Sequence, residues 1–268
     1  MNKYNIKCII IDIDGTLVDS NGLISDYTKK VIFKVVSSGI KVILATGRNI
    51  DDAIHISKIC GASEIIIANN GANIYDYNKK KFIFCNHIDK KAITNIWNNC
   101  IKYNIDTIYN SFNLRYRKYI NLDKSYNEKN DIIIDNNYKI LKDIYQVVLL
   151  SPSKNDLKKC TKSIVANNVM IGNFGKGSNN IYHVDINSNK ISKGLAIKKL
   201  YNLLNISKEN IMCFGDSIND IDMFKYCCIC VAMKNSSNCI RNNADYITKF
   251  SNNENGVAKF IEENFFNI

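Results

Sequence analysis

Four aspartates stand where apolar runs stop abruptly. Ile9-Ile10-Ile11 leads into Asp12-Ile13-Asp14-Gly15-Thr16, and Ile211-Met212-Cys213-Phe214 leads into Gly215-Asp216-Ser217-Ile218-Asn219-Asp220. A short run rich in β-branched residues reads as a fully buried strand of a mainly parallel sheet. Chemistry in such sheets gathers at the carboxyl ends of the strands. Of the two acids in the first motif, one could face a substrate as nucleophile while the other reaches a leaving group. Gly15 lets the chain turn there, and the Thr16 hydroxyl can hold the turn. Brought together, Asp12, Asp14, Asp216 and Asp220 would repel one another unless a cation lay among them. Hard oxygen donors favour Mg²⁺, and the absence of histidine or thiolate from both motifs argues against zinc. An aspartate in such a site can attack phosphorus and form an aspartyl-phosphate, splitting hydrolysis into two steps. A phosphate dianion repels that carboxylate by about 1 kcal/mol per charge pair at ~4 Å in water. Mg²⁺ and a lysine, Lys193, would offset the repulsion and stabilise charge on the transferring oxygens.

These residues need a sheet to carry them. Residues 27–38, with Val31, Val35 and Val36 on one face, predict a helix stopped by Gly39. The segment 17–24 between that helix and the first strand is turn-rich and reads as a small hairpin or flap. Residues 41–44 predict a second strand, ending in Ala45-Thr46-Gly47-Arg48, where the Thr46 hydroxyl and nearby N–H groups can seat a phosphate oxygen at a helix start. Residues 64–68 predict a third strand, followed by Asn69-Asn70-Gly71-Ala72 on the same rim. From about residue 79 the pattern changes. A helix over 88–103, strands over 111–119 and 146–150, a helix over 155–166 and strands near Val169 and Tyr182 suggest an α+β insertion. The glycine-rich 172–178 matches no nucleotide-binding spacing and reads as a loop. The first pattern then resumes with Ser192 capping a helix over 193–204, the strand before Asp216, strands over 228–232 and 245–247, and a closing helix over 256–265. The fold class is α/β, with a core at 1–84 and 188–268 and an inserted domain at 85–187.

Composition sets the remaining bounds. At 268 residues, 46% hydrophobic and 23% charged, the chain is an ordinary globular one. No window approaches the length of a membrane span, and Met1 to Lys7 is basic without the long apolar core of a leader. A cytoplasmic protein with no membrane partner is expected. The ten cysteines are scattered, which favours reduced thiols, and Cys227-Cys228-Ile229-Cys230 reads as a packed strand. The net charge of +11 is spread along the chain, so it argues weakly for nucleic acid and suits any small polyanion. Abundant Asn, Lys and Ile with a single proline fit an AT-rich genome.

The motifs Asp12-Ile13-Asp14-Gly15-Thr16-Leu17, Ala45-Thr46-Gly47-Arg48, Asn70-Gly71-Ala72, Ser192-Lys193-Gly194 and Gly215-Asp216-Ser217-Ile218-Asn219-Asp220 resemble, in order and spacing, the haloacid-dehalogenase-like hydrolases, specifically the Cof-type phosphatases. Val231-Ala232-Met233, Ala244-Asp245 and Asn255-Gly256-Val257 look like later signatures of that family, and the insertion is similar in size to its α/β cap. The resemblance implies a Rossmann-like core with Asp12 as nucleophile and Asp14 as general acid, then base. It implies Mg²⁺ at Asp12, the Asp14 carbonyl and Asp216, with Asp220 supporting, and substrate contacts from Ile13, Thr46, Gly47, Lys193 and Asn219. In the cap, Arg115, Arg117 and Lys118 lie among Phe112, Tyr116 and Tyr119, and the two arginines could hold a second anionic group or lie on a solvated edge strand. The substrate implied is a small phosphorylated metabolite such as a sugar phosphate. A phosphomutase is one rival, although 18–25 lacks the arginine such enzymes tend to carry; a non-catalytic metabolite-binding regulator is a second, and a phosphatase of nucleic-acid ends, resting on net charge alone, is a third. Monomer and homodimer are both compatible with the chain.

Overall fold

A computed structural model describes residues 5–120, 131–137, 143–177 and 180–266. The chain divides into two compact units, residues 1–84 with 192–268, and residues 85–191. Where a return to the core is expected at residue 188, the last strand of the second unit still runs through Ser188, and that unit closes at Ile191.

The first unit opens with β1 (Cys8–Ile11), whose four residues are all buried. Then come α1 (Asp26–Ser37), β2 (Lys41–Ala45), α2 (Ile50–Cys60), β3 (Ile65–Ala68), β4 (Asn73–Asp76) and β5 (Lys81–Cys85). The second unit holds α3 (Lys90–Lys102), β6 (Asp106–Asn110), β7 (Arg115–Lys118), β8 (Asp131–Ile133), β9 (Gln146–Ser151), α4 (Lys154–Ser163), β10 (Val169–Ile171), β11 (Gly175–Lys176) and β12 (Tyr182–Ser188). The chain then returns to the first unit through α5 (Lys193–Leu204), β13 (Ile211–Gly215), α6 (Ile221–Phe224), β14 (Ile229–Ala232), α7 (Asn238–Arg241), β15 (Tyr246–Ile247) and α8 (Gly256–Ile261).

The first unit's sheet runs β15-β14-β13-β1-β2-β3-β4-β5, parallel from β15 to β3 and antiparallel between β3 and β4. Alternation along β1 divides its burial between two layers. Ile9 and Ile11 pack with Val31, Ile32 and Val35 of α1 and with Val257 and Ile261 of α8, whereas Cys8 and Ile10 pack with Ala196, Ile197 and Leu200 of α5. From β1 the chain first builds outward to β2 and β3, and it returns later to lay β13 on the other side. The crevice between the carboxyl ends of β1 and β13 is therefore the switch point at which open α/β sheets bind ligands. The residues at 17–24 form a turn and not a hairpin: the Asp19 side chain accepts from the Asn21 and Leu23 amides, and Gly22 N–H donates to the Asp19 carbonyl.

The second unit's sheet runs β10-β12-β9-β6-β7-β8, with β11 added to β12. One face, including Tyr109, Tyr116, Val147, Leu149, Val184 and Ile186, packs on Ile96 and Cys100 of α3 and Leu157 and Cys160 of α4. Of the strand expected over 111–119, Arg115–Lys118 is extended as β7, whereas 111–114 form the turn of a hairpin with β6, a strand the sequence reading lacks; Asn113 takes the left-handed region in that turn (φ 57°). β7 is flanked by β6 and β8, so it is an interior strand rather than a solvated edge. The glycine-rich stretch contains β11, and its end, Ser178, lies outside the described residues, as do Met1 to Tyr4.

Candidate active site

The first three parallel strands each release the chain into a polar turn. Beyond β1, Asp12 is still extended (φ −67°, ψ 157°), and its N–H donates to the Phe214 carbonyl of β13 at 3.1 Å. Residues two apart on a continuing strand would share a face. The chain avoids this by coiling at once through Ile13–Leu17, with Gly15 at φ 76°. Asp12 is thus left 4% exposed against the core, while the Asp14 side chain is 60% exposed. Gly15 cannot be replaced without displacing Asp216, because a Cβ there would lie 2.4 Å from Asp216 Oδ2. The Thr16 hydroxyl donates to Asp216 Oδ1 at 2.9 Å, tying the turn after β1 to the turn after β13.

Lys193 reaches into this crevice from the first turn of α5. Its side chain is 1% exposed, and its Nζ lies 2.5 Å from Asp12 Oδ1 and 2.8 Å from Asp220 Oδ1. An ammonium opposes the helix dipole at that end and survives burial there only through its two carboxylate partners. Burial alone would lower the Lys193 pKa, but Asp12 and Asp220 outweigh it and raise it. Asp220 is fully buried, and its other oxygen accepts from the N–H groups of Asp216 and Ser217, each at 3.0 Å. Ser192, the N-cap of α5, accepts from the Leu195 N–H and donates to Asp222.

One oxygen from each of Asp12, Asp216 and Asp220 falls within a single group 4.8 Å across. Three carboxylates against one ammonium leave two negative charges uncompensated. Burial, then the Asp220 charge, drives the Asp12 pKa well above the carboxylate range, and the same two causes push Asp216 up to about 6. This excess of negative charge, on oxygen donors alone, fits a hard divalent cation. Both Asp220 oxygens already accept hydrogen bonds, Oδ1 from Lys193 and Oδ2 from the Asp216 and Ser217 N–H groups, whereas among the described residues Asp12 and Asp216 accept on Oδ1 alone, from Lys193 and Thr16 respectively. Asp220 thus suits the supporting part.

Beyond the acids, Asp14 is held bidentately by Arg48, with Nη2–Oδ1 at 2.6 Å and Nε–Oδ2 at 2.8 Å. Thr46 is fully buried and its Oγ1 accepts from the Arg48 N–H at 3.0 Å, which leaves its own hydroxyl proton to donate. Asn219 Nδ2 donates to Asn70 Oδ1 at 3.1 Å, and a Cβ at Gly47 would meet the same Asn70 oxygen at 3.0 Å. Ile13 is buried in the apolar core, so only its main chain can serve a ligand. Downstream, Asn235 Nδ2 donates to the Gly15 carbonyl, Asn252 Nδ2 to the Val18 carbonyl, and Asn253 Oδ1 accepts from the Ser20 N–H and hydroxyl. Together they hold the segment after β1 by its main chain. Arg115 and Arg117 belong to the second unit, where both pair with Asp131 at 2.5 and 2.7 Å. Lys118 turns to the other face of the sheet and is 2% exposed, with its Nζ 4.6 Å from the Trp97 ring centre. The Arg48–Asp14 pair, the Thr16–Asp216 bond, the place of Asp131 and the Asn70 contacts escaped the sequence reading, because each joins residues of different elements that only the fold brings together.

A parallel sheet with an acidic cluster at its switch point and an inserted α+β unit places the chain in the α/β class, with its candidate site at the carboxyl ends of the strands. The family model for haloacid dehalogenase-like hydrolases matches residues 9–261, and the chain belongs to that family. It is 30% identical over 269 residues to the 5-amino-6-(5-phospho-D-ribitylamino)uracil phosphatase of Bacillus subtilis, spanning 96% of this chain and 95% of that protein. It is 26% identical over 263 residues to a phosphoglycolate phosphatase of Methanobrevibacter smithii, spanning 97% and 98%. The crystal structure of a haloacid dehalogenase-like hydrolase from Bacteroides thetaiotaomicron superposes with a TM-score of 0.84 at 22% identity, covering 97% of this chain and 100% of that one. The chain is thus an enzyme of this hydrolase family, and phosphatase is the activity by which both similar curated proteins are named. Among the described residues no helix is long and apolar enough to cross a membrane.

Proposed function

We propose that the chain is a magnesium-dependent phosphatase that hydrolyses small phosphate monoesters, sugar phosphates or related metabolites, through an aspartyl-phosphate on Asp12. The observation that carries this reading is the buried Asp12 carboxylate, held by Lys193 beside Asp216 at the sheet's switch point. Asp12, the Asp14 carbonyl and Asp216 would hold the ion, with Asp220 fixing Lys193 and the turn before it. Bound there, Mg²⁺ supplies the positive charge that lets a phosphate dianion approach a carboxylate.

The protein's own residues account for the remaining steps. Lys193, Asn219, the Thr46 hydroxyl and main-chain groups at Ile13 and Gly47 receive the phosphoryl oxygens. An oxygen of Asp12 bonds to phosphorus as the ester P–O bond breaks, and Asp14 gives its proton to the departing alkoxide. Asp14, now a carboxylate, takes a proton from water as that water attacks phosphorus, which frees inorganic phosphate and restores Asp12. Arg48 steadies Asp14 in its exposed position between the two proton transfers. The names of the similar curated proteins support a phosphorylated small-molecule substrate. A cytoplasmic location belongs to the same reading, on the cysteine usage. Arg115 and Arg117 are not carried forward as a second anion site, since Asp131 engages both.

The test is phosphate release from a broad panel of phosphorylated metabolites, with Mg²⁺ and with a chelator, for the wild type and Asp12→Asn. Release from some esters is expected, lost with chelator, restored by Mg²⁺ and reduced to background in Asp12→Asn. Release that persists in Asp12→Asn would overturn the reading, as would none from any ester.

A further inference from the structure

Asn70 lies in a turn to which no step above assigns a part, yet its contacts converge on the phosphoryl-binding side of the site. Its backbone is in the left-handed region (φ 57°), and its N–H donates to the Thr46 carbonyl at 3.0 Å. The next residue, Gly71 (φ 95°), runs so close to α5 that a Cβ there would lie 2.2 Å from the Ser192 carbonyl oxygen. The turn is thereby fixed on one side to the strand end that carries Thr46 and Gly47 and on the other to the residue preceding Lys193. Its side chain, 8% exposed, directs Oδ1 at Asn219 Nδ2 (3.1 Å), and Ser217 Oγ donates to Asn219 Oδ1. Asn219 is itself exposed, on the short helical turn Ile218–Asp220. An amide has one acceptor oxygen and two N–H donors. With the oxygen engaged by Ser217 and one N–H by Asn70, rotation of the amide is blocked and the second N–H has a set direction.

We propose that Asn70 is a positioning residue for phosphoryl binding: its side-chain oxygen locks the Asn219 amide so that the remaining N–H is presented to a phosphoryl oxygen. The inference rests on the phosphatase reading for Asn219's role. An unlocked Asn219 would sample both amide orientations, and in one of them its oxygen faces a phosphate oxygen.

Asn70→Gly removes the side chain while suiting the positive φ. Asn70→Ser, too short to reach Asn219, serves as a second variant. Both are expected to raise KM, and the inhibition constant of inorganic phosphate, on the order of tenfold, with kcat changed less than twofold. Asn219→Ala should do the same, and either double variant should be no worse than Asn219→Ala alone. Effects that multiply in the double variants would overturn the proposal, as would an unchanged KM in the single ones or a loss confined to melting temperature. A wild type that releases no phosphate from any ester fails the phosphatase reading, whereas an active wild type with multiplying effects fails only the role given to Asn70.

Discussion

Asp216 shows how function sets a cost on stability at a single residue. It sits partly buried beside two other acids, with Thr16 donating to one oxygen and only Lys193 to offset the charge nearby. Without a divalent ion the repulsion is uncompensated, so Asp216→Asn, which keeps an oxygen for Thr16, is predicted to melt higher than the wild type in chelator. With Mg²⁺ present the order should reverse, because the wild type gains binding energy that the variant has lost. Thermal melts of both proteins in each buffer check this, and a variant less stable in chelator would contradict it. The acids, Thr46 and Lys193 were legible in the sequence because each stands in a polar turn at the end of an apolar run or beside a helix cap. Their partners were not. Thr16 and Asp216 are 200 positions apart, and Asn70 and Asn219 are 149 apart, so only the folded chain could pair them.

At the scale of elements, the parallel strands read clearly, because residues buried on both faces leave continuous apolar runs. The inserted sheet read less well. Its β6–β7 hairpin turns without glycine, using Asn113 for the left-handed position, so one strand was expected where there are two. The basic-aromatic stretch of β7 also divides by alternation. Arg115 and Arg117 go to one face and share Asp131, whereas Lys118 goes to the other, against Trp97. Burial lowers the Lys118 pKa below its usual 10.5. Below its folded value the lysine is charged in both states and its desolvation cost is fully felt. Between the folded value and about 10.5 the unfolded chain binds more protons than the folded one, so stability rises with pH across that window. Lys118→Met is therefore predicted to exceed the wild type in denaturant resistance at neutral pH, with the difference shrinking as pH approaches 10.5. A difference that stays constant or widens with pH would show that the ammonium carries no such cost.

For the molecule as a whole, the division into units follows from three apolar clusters, two flanking the parallel sheet and one between the inserted sheet and its helices. Every residue proposed to hold the ion lies in the first unit. Calorimetry with increasing Mg²⁺ is predicted to raise the transition of the first unit and leave that of the second in place, and a uniform shift of both would refute it. The same division orders events on the ribosome. The carboxylate meant to attack is translated 181 positions before the ammonium that neutralises it, and the entire insertion is made in between. A nascent chain therefore cannot bury Asp12 beside its counter-charge until translation has passed Lys193, and a polypeptide terminated earlier has no means of offsetting the charge at the end of β1. Competence toward esters is withheld until the last quarter or so of the sequence emerges, which leaves prematurely released fragments inert.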